Sequence, residues 1–397
     1  MEKLHKSLHE WLNRLETSHD KKIDLGLSRV KTVYKSLKLD KVANTIITVA
    51  GTNGKGSTVA ILTSICHQAS LKVGSFTSPH LIKFNERITI NHKQVSDQEI
   101  IKAFEKIEAN LNSITLSYFE YATLAALIIF KNHNVDVAVL EVGLGGRLDS
   151  VNVVDTDCAI ITTIDIDHTD WLGDDIESIG FEKAGIMRPN KPAVYGDISC
   201  PKSIINHAKS IKADLYFADP NIQIPATNLL GDYQQKNIRT SITALNLLSL
   251  PIKPEDINLA LKNIKLKGRL QTIAEKPQVV IDVSHNKQAA KELAGWLNNN
   301  PISGKTVAVF SVLQDKNTAE WMPLFEDLID VWCVSQVDSY RAMPTLDILT
   351  ALADSAKLIT SHKSVAIAYE SAQVMANEKD RIIVFGSFYT VSEVLAC

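Results

Sequence analysis

The sequence predicts an α/β protein built on largely parallel sheets, and three observations carry that expectation. Short, apolar, β-branched runs alternate along the chain with longer stretches of helical periodicity. Most of these runs are continuously apolar, as strands covered on both faces are, and do not alternate. The composition is that of an ordinary globular chain. It has 397 residues, of which 45% are hydrophobic and 22% charged, enough apolar material for more than one core.

The elements follow in chain order. The opening stretch MEKLHKSLHEWLNRLE carries charges every few residues and lacks the apolar centre of a secretory signal. Strands are expected at Thr45–Ala50, Val135–Val142, Cys158–Ile164, Val279–Val283, Thr306–Ser311, Val331–Ser335 and Arg381–Phe385. Helices are expected at Ser57–Ala69, Asp97–Leu111, Phe119–Lys131, Ile238–Leu248, Lys287–Leu297 and Thr345–Ala356. The most apolar long stretch, Tyr121 to Phe130, is about half of the roughly 20 residues a membrane-spanning helix needs, and reads as a buried helix. The polar stretch QTIAEKPQ at 271–278 precedes a fresh strand and reads as a linker. A large N-terminal domain, 1–270, and a smaller C-terminal domain, 277–397, are therefore expected.

Charge and cysteine content narrow the function classes. The formal net charge is −3, from 42 basic and 45 acidic residues, which argues against a nucleic-acid partner. The five cysteines, Cys66, Cys158, Cys200, Cys333 and Cys397, are scattered, odd in number and without a C-x-x-C pair. Reduced thiols in a cytoplasmic protein with no membrane partner are expected.

The strongest local signal is ITVAGTNGKGSTVAIL at 47–62. An apolar strand runs through Gly51, Thr52, Asn53, Gly54, Lys55, Gly56 and Ser57 into a helix. Glycines let the backbone turn tightly and aim its N–H groups at a phosphate, and the helix N-terminus adds partial positive charge. Lys55 can reach the terminal phosphates, and Ser57 or Thr58 can offer a hydroxyl to Mg²⁺. The match to the standard Walker pattern is imperfect: the outer glycine is missing, and Gly56 follows the lysine where Ser or Thr is usual. The plain alternative is a glycine-rich turn that binds nothing.

Two further strand ends carry acidic groups. In VDVAVLEVGLGGRLDSVNVV, 135–154, Glu141 closes an apolar run, a good place for a ligand to a hard cation. Its alternative role is to cap a loop or pair with Arg147. Asp149 follows in a turn, where Asp is common. In IITTIDIDHTDWLG, 160–173, His168 stands among Asp165, Asp167 and Asp170. A neutral His can ligate metal while an Asp orients it, or the group can simply cap a helix. Lys183, in FEKAGIM, reads by local pattern as a surface ion-pair lysine. In the second domain, VVIDVSHNKQAA at 279–290 puts Asp282, His285 and Asn286 between a strand and a helix. Arg269 precedes them and could clamp a phosphate, and Asp282 could accept from a ribose hydroxyl.

Taken together, these segments resemble the folylpolyglutamate synthase family, which belongs with the Mur ligases. The resemblance runs, in order, through KIDLGLSRV (22–30), VAGTNGKGS (49–57), FTSPHLIKFNERI (76–88), SYFEYATLAAL (117–127), LEVGLGGRLDSVN (140–152), DHTDWLG (167–173), EKAGIMR (182–188), Gly268-Arg269, DVSHN (282–286) and FGSFYTV (385–391). It implies a P-loop-type ATPase domain with a mostly parallel sheet, followed by a smaller Rossmann-like C-terminal α/β domain that acts as the glutamate-ligase domain. The implied activity is an ATP-dependent amide ligase: ATP phosphorylates a carboxylate of a pterin-bearing substrate, and the amine of L-glutamate displaces the phosphate.

The resemblance also implies roles. Thr52, Asn53, Gly54, Lys55, Gly56 and Ser57 match the ATP phosphate loop, with Lys55 catalytic and Ser57 also a metal ligand. Ser78, Glu141 and His168 match the magnesium ligands, His168 also standing among the catalytic residues. Lys183 matches a carbamylated catalytic lysine, which overrules its local reading. Asn237, Arg269 and Asp282 match nucleotide contacts, with His285 beside them; QQKNIRT departs from the usual pattern around Asn237. Asp24, Leu25, Gly26 and Leu27 match a dihydropteroate-binding loop. Ser117, Tyr118, Phe119 and Glu120, with Leu148, Asp149 and Ser150, match further pterin contacts. DLGL together with SYFEY favours the bifunctional type, which uses both dihydropteroate and tetrahydrofolate, over one that only adds glutamates to folates. Mg²⁺ and a monovalent cation are implied as cofactors, and a monomer as the state. Two other readings compete: a Mur-type ligase acting on a nucleotide-sugar peptide, for which the early phosphate loop leaves no extra domain, and an ATP-sensing module that ligates nothing.

Overall fold

The computed structural model describes residues 7–21, 23–353 and 357–397. The first six residues of the opening stretch, Lys22 at the head of KIDLGLSRV, and the expected helix end at 354–356 lie outside the described residues. The described chain divides into two compact units. One runs up to Asn228 and resumes over Gln235–Ile264; the other takes Leu229–Gln234 and Lys265–Cys397.

The first unit holds β1 (Ala43–Ala50), β2 (Val73–Phe76), β3 (Ile88–Ile90), β4 (Lys93–Gln94), β5 (Val135–Glu141), β6 (Cys158–Ile161), β7 (Pro192–Tyr195) and β8 (Asp214–Phe217). They form one eight-stranded sheet in the order β4-β3-β2-β5-β1-β6-β7-β8. All neighbours from β2 to β8 run parallel, and β3 and β4 add antiparallel pairs at one edge. The last four residues of β1 are buried, as expected of a central strand covered on both faces. Register matters for the site: Val49 pairs with Glu141 on one side and Ile160 on the other. The carboxyl ends of β1, β5 and β6 thus come level, where parallel sheets bind ligands.

Around and after these strands come α1 (Leu8–Thr17), α2 (Ser28–Ser36), α3 (Lys55–Gln68), α4 (Asp97–Glu108), α5 (Tyr118–His133), α6 (Thr169–Leu172), α7 (Ile176–Ala184), α8 (Lys202–Ile211), α9 (Asp232–Asn246) and α10 (Pro254–Asn263). Helix α5 is buried at every position from Glu120 to Phe130, so its all-round apolar sequence is that of a core helix. Among the described residues no helix is long and apolar enough to cross a membrane.

The second unit is a six-stranded sheet of β9 (Gln271–Glu275), β10 (Gln278–Ile281), β11 (Thr306–Phe310), β12 (Val331–Val334), β13 (Ile359–Ser361) and β14 (Arg381–Phe385), in the order β13-β12-β11-β14-β10-β9. Only β9 runs antiparallel to its neighbour. Helices α11 (Lys287–Asn299), α12 (Thr345–Leu352), α13 (Val365–Met375) and α14 (Phe388–Ala396) complete it. Its core is aromatic: Phe310 and Phe325 each lie 5.0 Å, centroid to centroid, from Phe385, and Trp332 packs edge-on against Phe310. The fold is the α/β class expected from the sequence. One segment differs. The stretch expected as a linker at 271–278 is β9 and the start of β10, because Gln271 to Glu275 pair along Gln278 to Ile281 and satisfy their backbone there.

Candidate active site

The phosphate loop is built as its glycines require. Gly54 caps α3 at φ 84°, a left-handed conformation that costs glycine little. A Cβ there would meet Asn237 Oδ1 at 2.6 Å, so Asn237 of α9 lies directly against the loop. The loop is tied to the end of β6: Thr52 N–H donates to Thr163 O at 2.8 Å, and the Thr52 hydroxyl donates to Asp165 O at 3.1 Å. Asn53 N–H donates to Thr163 Oγ1 at 3.2 Å. Ser57 and Thr58, in the first turn of α3, are buried, and the Thr58 hydroxyl has no hydrogen-bond partner.

Two lysines converge on one loop carbonyl. Lys55 Nζ donates to Gly51 O at 2.9 Å and to Thr52 O at 3.1 Å. Lys183 Nζ, from the last turn of α7, donates to the same Gly51 O at 3.0 Å. Lys183 is 5% exposed, so its local reading as a surface ion-pair lysine is corrected. Burial, and then the neighbouring charge of Lys55, push its amine down to about 7. Both lysines line one pocket with Gly51, Thr52, Gly143, Asp167 and His168. His168 stands in the left-handed region, φ 55°, at the start of α6, and its N–H donates to Asp167 Oδ1 at 2.9 Å.

Glu141 ends β5, 5% exposed. Its carboxylate accepts from Ser78 N–H at 3.1 Å and faces Gly56, whose added Cβ would sit 3.7 Å from Oε2. The alternative pairing of Glu141 with Arg147 does not form: Arg147 donates to Glu182 Oε1 at 2.7 Å. Among the described residues no group of three His, Cys, Asp or Glu gathers as a metal cage. Mg²⁺ keeps several waters, takes one or two carboxylates and completes its shell with substrate phosphates. A buried carboxylate beside a phosphate loop is a donor of that kind.

The three segments expected on the pterin side also meet. Gly26 N–H donates to Leu148 O at 3.1 Å. Ser150 Oγ and Thr123 Oγ1, one turn into α5, share a hydrogen bond at 2.7 Å. Ser117 caps α5 in a capping box with Glu120. Asp149 is buried, and its carboxylate accepts from Leu144 and Val151 N–H groups. Burial raises its carboxyl to about 6, although those N–H groups and Lys55 oppose the rise. Phe119 packs on Gly143, where a Cβ would sit 2.5 Å from its ring, so the two regions share one loop.

In the second unit the turn at Gly268 to Leu270 is pinned by Asp282. Asp282 accepts from Leu270 N–H at 2.8 Å, from Ser284 N–H at 2.8 Å and from the Ser284 hydroxyl. Its carboxyl is raised by burial, against the pull of Arg269. The Arg269 guanidinium stacks 5.1 Å over the Phe388 ring, and His285 packs against the same ring at 6.2 Å. Arg269, Asp282 and His285 are therefore one cluster.

Comparison with known proteins follows the same division. Residues 49–261 match the Mur ligase middle domain, and residues 268–388 match the Mur ligase glutamate ligase domain. The dihydrofolate synthase/folylpolyglutamate synthase of Escherichia coli K12 is 38% identical over 409 residues, spanning 98% of this chain and 94% of the relative. The chain belongs to the dihydrofolate synthase/folylpolyglutamate synthase family of Mur ligases. Solved members superpose closely. The E. coli protein in complex with DHPP and ADP gives a TM-score of 0.93 at 37% identity, covering 98% and 97% of the two chains. A bifunctional folylpolyglutamate synthase/dihydrofolate synthase with Mn, AMPPNP and L-glutamate bound gives 0.91 at 38% identity, covering 98% of each.

Within this member of the family, several residues of the site had no signal in the sequence. Thr162 and Thr163 hold the phosphate loop. Arg29 holds Asp24 and Glu120. His80 accepts from Arg87 Nε through Nδ1 at 2.8 Å, and burial, with the charge of Arg87, lowers it to about 4. The Thr162, Thr163 and Glu120 contacts join segments far apart in sequence, whereas Asp24 and Arg87 lie only five and seven residues from Arg29 and His80. Ser117 with Glu120 does leave one local signal, the S-x-x-E capping pattern.

Proposed function

We propose that the protein is an ATP-dependent ligase that joins L-glutamate to dihydropteroate, giving dihydrofolate, and to tetrahydrofolate and its polyglutamates. The observation that carries the reading is the convergence of Lys55 and Lys183 on the Gly51 carbonyl, beside a glycine loop that opens a helix. A carboxylate is a poor electrophile. Its oxygen attacks the terminal phosphorus of ATP, and ADP leaves. The glutamate amine then attacks the acyl carbon, phosphate departs, and the nitrogen loses its proton. Such transfers need positioning and charge neutralisation more than covalent help from the protein.

In this reading Thr52, Asn53, Gly54, Lys55, Gly56 and Ser57 cradle the phosphates, and Lys55 turns from the loop carbonyls to the transferring phosphoryl group. Asn237, Arg269, Asp282 and His285 serve the nucleotide. Ser57, Ser78, Glu141 and His168 would hold Mg²⁺, which when bound neutralises phosphate charge. Asp24–Leu27, Ser117–Glu120 and Leu148–Ser150 receive the pterin. Residues 1–270 form the ATP- and pterin-binding domain, and 277–397 the glutamate-ligase domain. Lys183 is carbamylated: its amine, about half neutral at pH 7, adds CO₂ and releases a proton. Loss of a buried positive charge beside Lys55 supports this step. The enzyme works as a cytoplasmic monomer on small molecules, without nucleic acid, and a monovalent cation assists.

Mass spectrometry tests the reading. Dihydropteroate should gain one glutamyl residue for each ADP formed. ATP hydrolysis with no glutamyl product would overturn it.

A further inference from the structure

We propose that Arg29 is a positioning residue for the pterin-bearing substrate, clamping the 24–27 loop to the N-terminus of α5. The inference rests on the reading of 24–27 and 117–120 as the pterin side. The geometry is that of a bridge. One guanidinium nitrogen donates to the Asp24 carboxylate at 2.8 Å. Another reaches Asp24 O at 2.7 Å and Glu120 Oε1 at 3.2 Å. Glu120 is itself buried and accepts from Ser117 N–H at 2.7 Å. His19 Nε2 lies 3.1 Å from the Asp24 carboxylate and Lys21 Nζ 4.0 Å from it, but it is the Arg29 guanidinium that joins Asp24 to Glu120 and so ties the loop to the helix end. Further along the loop, Gly26 N–H donates to Leu148 O.

Arg29 is not placed for the good of its own helix. It stands in the first turn of α2, whose N-cap Leu27 makes no side-chain cap and which has no acidic residue there. A positive charge at that end opposes the helix dipole. Its Nε is also buried without a partner, a cost that native structures seldom leave unexplained. The fork geometry of a guanidinium, which an ammonium cannot copy, is what joins the two carboxylates.

The experiment compares the whole chain carrying Arg29→Met or Arg29→Lys with the wild type. It measures KM separately for dihydropteroate, ATP and L-glutamate, together with ADP binding and thermal melting. The expected result is a KM for dihydropteroate raised about tenfold or more in Arg29→Met. Arg29→Lys should fall between, with ADP binding and the KM for L-glutamate within about twofold of the wild type. Unchanged KM values overturn the proposal. So does a uniform loss across all three substrates with ADP binding gone, because that is a purely structural role. A wild type inert towards dihydropteroate strikes the pterin reading itself; an active wild type with unaffected variants strikes Arg29 alone.

Discussion

Lys55, Lys183 and Glu141 bear most of the proposed chemistry, and each can be tested alone. Lys55→Ala should lower kcat by at least about a hundredfold, the scale at which removing one group that stabilises transition-state charge is felt. Glu141→Ala should do the same with ADP binding retained; steady-state phosphate release and ADP titration check both. Lys183→Ala should be inactive and partly rescued by short carboxylic acids, which return an anion to the cavity. The Lys183 amine also gives a pH dependence. Its folded value, about 7, is below the ordinary lysine value of 10.5, so the unfolded chain holds the extra proton between those limits. Stability therefore rises with pH across that window. In bicarbonate-free buffer Lys183→Met should melt higher than the wild type at pH 7, and the difference should shrink towards pH 10. Carbamylation needs the neutral amine, so bicarbonate should stimulate the wild type more at pH 8 than at pH 6. Lys183 also marks a limit of legibility: its residue type says surface, and only packing against the distant Gly51 makes it buried.

At the scale of elements, the strand–loop–helix from β1 to α3 was the most legible part, because glycine spacing and an apolar strand are local facts. Gly54→Ala tests it. The substitution strains a left-handed backbone and drives a Cβ into Asn237, so melting should fall and ATP binding should weaken at least about tenfold. The α5 cap makes a second test. Ser117→Ala should cost about 0.5–2 kcal/mol of stability and raise KM for the pterin substrate, read from denaturant unfolding and kinetics. The central strands β11 and β14, buried throughout, and β5, buried at every position but Asp136, were legible from their apolar runs. The edge strands β4 and β8 were not, since they are short and largely exposed. Helix α1 was missed although Ser7 and Glu10 spell a capping box. Arg29 was beyond local reading, since its partner Glu120 is 91 residues away.

For the whole molecule, the α/β class and the family were readable from the ordered set of motifs, whereas strand order was not. Insertion of β5 between β2 and β1, and of β14 between β11 and β10, follows from crossover connections that no local pattern encodes. The first of these insertions brings Glu141 level with the end of β1, where the phosphate loop begins. The central claim is that the assembled protein couples ATP cleavage to glutamate addition on a pterin acid. Phosphate release with Mg·ATP and L-glutamate, run in parallel with dihydropteroate and with tetrahydrofolate, tests it most directly. The account predicts release that requires L-glutamate with both acceptors. No glutamate-dependent release with either acceptor would contradict it.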